Sequence, residues 1–303
     1  MKKFIVWIFF FLAARWGGAE DAGADIRGSI EWDRMEINAT VTVNLSSAGI
    51  RIPIGRSRGE EILNIEYPRL IRPYLLSLPV DSSGTLEDMI NRGELPLSDI
   101  GGFVRSARQV PPALSADLVS ISSQHTINMN TIGAAFIRHR RPAEIMRTLT
   151  PVPVKAHTGI IIIADSELPV HGRNIRALPL PCLFPKIWDT EMNLIFERNM
   201  LEPGAGKTNG MVRYASETAI FRPTPSGLEG DLLDLVGPDP LRIIARGVFG
   251  SRPTDPIIDR EDALLIISSE ENRRLLREGR VLLVLHRDVL KNPLGTAAVN
   301  PNP

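Results

Sequence analysis

Cysteine is almost absent: Cys182 is the only one in 303 residues. One thiol forms no internal disulfide and supplies no Cys-based metal site. It stands far from the N-terminus, so no cysteine lies where a lipid would be attached to an exported chain. Within LPLPCLFPKIW it reads as a small buried apolar residue rather than a reactive thiol. Histidine is scarce too. His125, His139, His157, His171 and His286 show neither H-x-H nor H-E-x-x-H spacing, so nothing points to zinc, and no metal or cofactor is expected.

Net charge is missing as well, with 35 basic and 35 acidic residues. Residues 1–19 hold Lys2, Lys3 and Arg15 and no acid, so without them the balance is 32 to 35, a net of −3. That leaves no basic footprint for nucleic acid. An apolar run of membrane-spanning length, about 20 residues, is also lacking. FIVWIFFFLAA, behind Met1-Lys2-Lys3, has the length of a signal-peptide core, and Gly17-Gly18-Ala19 offers small residues for cleavage. Residues 1–19 are therefore predicted to be a signal peptide cut near Ala19, and the protein to be exported to the periplasm or the outer membrane. Left uncut, the same segment would hold the chain at the inner membrane.

What is present suggests catalysis twice. Gly206-Lys207-Thr208 ends like a phosphate-binding loop, but the opening glycine of G-x-x-x-x-G-K-[ST] belongs at 201, which is Leu201. Glu202-Pro203 also interrupts the approach, so a polar loop between two strands is expected there. Gly55-Arg56-Ser57-Arg58-Gly59 fits G-x-S-x-G, and Asp255 and His286 follow in hydrolase order. Too little chain precedes Ser57 to build the sheet centre such an elbow needs, so Ser57 is expected at a solvated helix entry, with a serine hydrolase as the alternative. Arg138-His139-Arg140-Arg141 is a short basic cluster expected at a solvated strand end. Glu60-Glu61 and Glu270-Glu271 read as helix-surface charge. No catalytic, cofactor-binding or metal-binding residue is assigned, and no small-molecule substrate is evident.

The patterning predicts an α+β protein. Met35, Ile37, Ala39, Val41 and Val43 alternate with polar residues, as in a half-buried antiparallel strand. Ile62, Ile65, Leu70, Tyr74 and Leu78 suggest a long helical stripe, which Pro68 and Pro73 should kink or split. Thr85 to Asp88 reads as a capping box, with Gly93 as the stop. Pro151 and Pro153 mark a hinge, after which GIIIIAD, LFPKIWD, LIFERN, VRYASETAIF, LRIIARGVF and RVLLVL read as strands, and Asp259 caps a helix that buries Ala263, Ile266 and Ile267. The predicted units are an N-terminal domain at 28–150, a β-rich domain at 151–288 and a flexible tail at 289–303. Each domain is expected to be a mostly antiparallel sheet with one or two packed helices.

Three stretches carry a family resemblance. IEWDRMEINATVTVNL with LPVDSSGTLEDMI, then TGIIIIAD with ALPLPCLFPKIWDTEMNLIFE, and finally PLRIIARGVF through RVLLVL resemble exported bacterial proteins related to the lipoprotein-20 family and to the N-terminal domain of flagellar assembly protein T. The resemblance implies envelope-associated α+β modules, linked in some members to the flagellar basal body, with no known catalytic residues. The expected function is that of a non-catalytic envelope interaction protein, whose partners are envelope or basal-body proteins or further copies of itself.

Overall fold

The computed structural model describes residues 23–46, 55–149, 153–220, 228 and 230–294. The predicted signal peptide at 1–19 lies outside them, as do Pro151 and the tail beyond 294.

The first module is built on a hairpin of β1 (Ala24–Glu31) and β2 (Glu36–Asn44). The alternation read in the sequence is obeyed: Ile37, Ala39, Val41 and Val43 all point into the core. After the helix α1 (Gly55–Leu76) come the hairpin β3 (Pro79–Asp81) and β4 (Gly84–Thr85), then α2 (Leu86–Asn91) and α3 (Ser98–Arg105). The strands β5 (Arg108–Leu114) and β6 (Ser120–Asn128) and the helix α4 (Met129–Ala134) follow. Thr85 caps α2 through the reciprocal bonds with Asp88 that the sequence implies. β1, β2, β6 and β5 pair antiparallel in that order.

α1 departs from expectation in two ways. It runs unbroken through Pro68 and Pro73. Each proline removes one helical N–H, and the residues four positions before them, Asn64 and Arg69, lie on the exposed side of the helix rather than in the core. Its buried stripe is Gly55, Gly59, Leu63, Tyr67, Ile71 and Leu75, spaced in fours, while Ile65 is 64% exposed. Steps of four advance about 40° each turn, so the stripe winds along the twisted sheet. A Cβ on Gly59 would lie 2.9 Å from Leu45 Cδ2 and 3.0 Å from Ile121 Cγ2. Close approach of helix to sheet therefore selects a face that counting large apolar residues does not find.

The second module carries two further sheets. Its centre is β7 (Ile160–Ala164), followed by the short hairpin β8 (Leu168–Pro169) and β9 (Arg176–Ala177), then β10 (Ile187–Asp189) and β11 (Leu194–Phe196). After α5 (Pro203–Asn209) come β12 (Arg213–Ser216), α6 (Glu217–Ile220) and α7 (Gly230–Val236). β13 (Leu241–Ile244), β14 (Gly247–Phe249) and β15 (Asp255–Ile258) follow, then α8 (Arg260–Ile267), α9 (Glu270–Arg277), β16 (Val281–Leu285), α10 (Arg287–Leu290) and β17 (Lys291–Leu294).

The α+β class and the two modules stand, and the antiparallel expectation describes the first module. In the second, β12, β16, β7 and β13 are parallel. The cause is visible in IIII and VLLVL, continuous apolar runs of the kind that strands covered on both faces require. Ile160 and Ile162 face one core, which reaches into the first module, and Ile161 faces a second core beside Val236 and Ile220. LRIIARGVF splits at Ala245-Arg246, giving β13 to this sheet and β14 to a mixed one ordered β11, β10, β15, β14.

Ala263, Ile266 and Ile267 are buried as expected, but the Asp259 carboxylate turns from the helix end to Arg246 at 2.5 Å. The helix also ends at Ile267 and restarts, with Ser269 capping α9. Asn272, fully buried, donates to the Leu265 and Lys155 carbonyls and accepts from His157 N–H.

The modules are welded. Leu183 N–H donates to the Pro79 carbonyl at 3.1 Å and Phe184 N–H to Val80 at 2.8 Å. The Ser82 carbonyl accepts from Arg252 N–H at 3.2 Å and from Ser251 Oγ at 2.7 Å. Gly250, at φ +118°, makes room for this contact, since a Cβ there would come within 2.5 Å of Ser82 Cβ. The predicted flexible tail is corrected at its start: Lys291–Leu294 is β17, paired antiparallel with β1 at the sheet edge. Trp32 Nε1 donates to Asn292 Oδ1 at 3.2 Å, and Trp32 packs edge-on against Tyr214. Four residues give too short a pattern to read as a strand until β1 is seen beside them.

Removing residues 291–303 should lower the melting temperature by at least roughly 5 °C, because β1 loses its partner on one side and Trp32 its hydrogen bond. Unchanged differential scanning fluorimetry would contradict the pairing. Ile266→Asp should cost on the order of 4 kcal/mol by burying an unpaired charge. Glu270→Lys, which takes a partner from the nearly buried Arg273 and from Arg277, should cost about 1 kcal/mol. Urea melts showing equal effects would refute that layout.

Candidate interaction surface

The chain between the modules is a fastened strap. Asn128 caps α4 by accepting from Asn130 N–H, and Phe136 and Ile137 are buried as the helix ends. From Arg138 onward Pro142 and the lack of an apolar period rule out regular structure. Three points pin the strap to the second module or the core. His139 Nε2 bonds to the Leu201 carbonyl at 2.7 Å, Ala143 N–H donates to Asn199 at 2.7 Å, and Ile145 is buried. Beyond residue 152, Lys155 pairs with Asp239 at 2.5 Å and Thr158 Oγ1 donates to the Val236 carbonyl at 2.7 Å. The predicted hinge is thus tied on both sides of residues 150–152.

Between the pins the side chains point out. Arg138, Arg140, Arg141 and Arg147 are exposed, Met146 is 38% exposed and Leu149 is 103% exposed. Glu144 pairs with Arg147 at 2.9 Å. The basic cluster expected at a strand end therefore belongs to an irregular segment held in place at intervals.

The sequence-derived catalytic candidates do not converge. Ser57 is exposed in the first turn of α1, beside an Arg56–Glu60 ion pair at 3.0 Å. Asp255 is buried at the start of β15, and its Oδ1 accepts from Lys186 N–H at 3.1 Å and Thr254 Oγ1 at 3.0 Å. His286 caps α10 by accepting from Asp288 N–H. Each has its own local partners, in three separate elements. Lys207 is exposed, and Thr208 Oγ1 is spent on the Gly204 carbonyl. The polar loop expected around Gly206-Lys207-Thr208 is instead α5. Pro203 opens that helix, because proline at a first helical position loses no bond.

Glu60 and Glu270 lie on helices, as the sequence implies, and pair with the exposed Arg56 and with the buried Arg273. Cys182 is buried, and its N–H and carbonyl are both bonded to Tyr214 Oη, at 3.1 and 2.7 Å. Among the described residues, no group of three or more His, Cys, Asp or Glu is placed to hold a metal ion.

Among the buried polar groups that the sequence reading did not single out, two carry shifted pKa values. His125 lies on the inward face of β6 and stacks flat on Tyr67, with centroids 3.6 Å apart. Its Nε2 bonds to Ser123 Oγ at 2.8 Å, and burial lowers its pKa to about 4, so it is neutral. The available signal was its place in the alternation of Ile121, Ser123, His125 and Ile127. Asp189 is the other. Burial pushes its pKa up, but bonds from Asn193 and from Arg260 at 2.7 Å outweigh that and hold it below the usual range.

Asp255 shows the opposite balance. Its Oδ2 has no hydrogen-bond partner among the described residues, and burial raises the carboxyl pKa despite the bonds to Oδ1. A carboxyl raised in the folded state binds more protons there than in the unfolded chain. Its stabilising share is complete in acid and is lost as pH rises through the folded pKa. Asp255→Asn removes that titration, so the variant should gain stability relative to wild type as urea midpoints are followed from acid to neutral pH. Parallel pH profiles would contradict the assignment.

The modules correspond to two matches with known families. Residues 24–135 match the family described as Treponema pallidum Tp0624, N-terminal domain, and residues 159–287 match that described as Treponema pallidum Tp0624, second domain. No curated protein matches the chain. The strap falls between the two matched spans, and over those spans the chain is similar to the N-terminal and second domains of Tp0624, in that order.

Proposed function

We propose that the protein is a non-catalytic interaction protein of the cell envelope, exported to the periplasm or outer membrane, where it supports envelope or flagellar basal-body assembly. The observation that carries this reading is the strap. Two modules are joined by backbone hydrogen bonds, and the segment crossing between them is pinned, with Ile145 buried, so that its arginines, Met146 and Leu149 are exposed. Such a surface on a welded body suits docking: little conformational entropy is lost when a partner binds a segment that is already ordered. The signal-like N-terminus and the resemblance to exported lipoprotein-20 and flagellar assembly proteins support the compartment.

A chain tagged at its C-terminus should be recovered shortened in the envelope fraction and, after mild crosslinking, in complexes larger than a monomer. Recovery as an unprocessed cytoplasmic monomer would overturn the proposal.

A further inference from the structure

We infer that the strap is a surface for anionic lipid headgroups, an inference that names the partner of the proposed interaction surface and rests on that reading. Between 138 and 149 stand four arginines and one glutamate, a net of +3 with His139 neutral. The chain without residues 1–19 carries −3, so the positive charge here is segregated against the rest of the molecule. Glu144 is occupied by Arg147. Arg138 directs its Nε to the Ala135 carbonyl of its own chain and leaves the rest of its guanidinium outward. Arg140 and Arg141 are exposed beside it.

Charge alone would serve any polyanion. The apolar side chains decide: Leu149 is fully exposed and Met146 partly so on the same short segment. Cations flanking exposed aliphatic side chains match the boundary between headgroups and acyl chains, where arginines meet phosphate and aliphatic groups enter the hydrocarbon. A nucleic acid would offer nothing to Leu149, and the segment has no Phe, Tyr or Trp on which a base would stack, its one imidazole, His139, being held to the Leu201 carbonyl. The pins at His139, Ala143 and Ile145 keep the face outward before any contact.

The test puts an environment-sensitive fluorophore on the strap of the full chain through Thr148→Cys. Cys182 is buried and is left unlabelled. Because the label reports only its own surroundings, binding through the N-terminal apolar run does not mask the result. With vesicles of mixed phosphatidylglycerol and phosphatidylcholine, the emission should shift to the blue. The response should fall at least about fivefold in the Arg140→Glu/Arg141→Glu variant and in about 0.5 M salt. Leu149→Ser should weaken it, and all these substitutions should leave the melting temperature unchanged, since the side chains are exposed.

An equal response to pure phosphatidylcholine would overturn the inference, as would no response or one indifferent to Arg140 and Arg141. A response to single-stranded oligonucleotide matching that to vesicles and unaffected by Leu149→Ser would assign the strap to nucleic acid instead. A cytoplasmic chain whose label still responds would refute the envelope reading and leave the lipid surface standing. An envelope chain with a silent label would do the reverse.

Discussion

The densest backbone link between the two modules is one short run, residues 79–82. The carbonyls of Pro79, Val80 and Ser82 leave the first module and accept hydrogen bonds from Leu183, Phe184, Ser251 and Arg252 of the second. A buried carbonyl without a donor costs about 1–3 kcal/mol, so neither module can withdraw without leaving such groups to be rehydrated. Apolar packing alone would let two faces slide, whereas directional bonds fix the register. The Phe136–Phe184 and Trp32–Tyr214 contacts then close around that fixed frame, and a single core runs through both modules.

Legibility in the sequence followed how local the cause was. The strand at Ile37 to Val43, the capping box at Thr85 and the buried triplet Ala263, Ile266 and Ile267 were readable because a neighbour within four residues decides each of them. The face of α1 was not, since Gly59 is chosen by Leu45 and Ile121, which lie far away in the chain. Pro203 misled for a related reason. As a breaker it argues for a loop, but at a helix start it loses nothing, and only the boundary separates the two cases. Asp259 was rightly placed at a helix start, yet Arg246 claimed its carboxylate. Of the strap, the arginines were legible. Its pinning was not, because the acceptors at Asn199 and Leu201 belong to the other module.

The buried polar groups sort by whether their partners are complete. Asn272 uses both amide protons and its carbonyl to join the strap, α8 and the chain entering β7, so its cost of burial is repaid in order. Asp189 is stable as an anion because Arg260 and Asn193 reach it. Asp255 is half-served, and His125 is kept neutral by its surroundings. These differences set where the molecule gains or loses stability with pH, independently of any ligand.

The pairing of β17 with β1 bears on the order of folding. Trp32 and Asn292, joined by a hydrogen bond, are 260 residues apart in the chain. In a polypeptide delivered N-terminus first, the outermost strand of the first sheet arrives last, so until then β1 presents an open edge able to pair with a neighbour. Closing that edge is a long-range event of the slow kind. Leu294 also lies beside Gly28, so the described chain enters and leaves on adjacent strands of one sheet. A tether at either end would hold the body by the same corner.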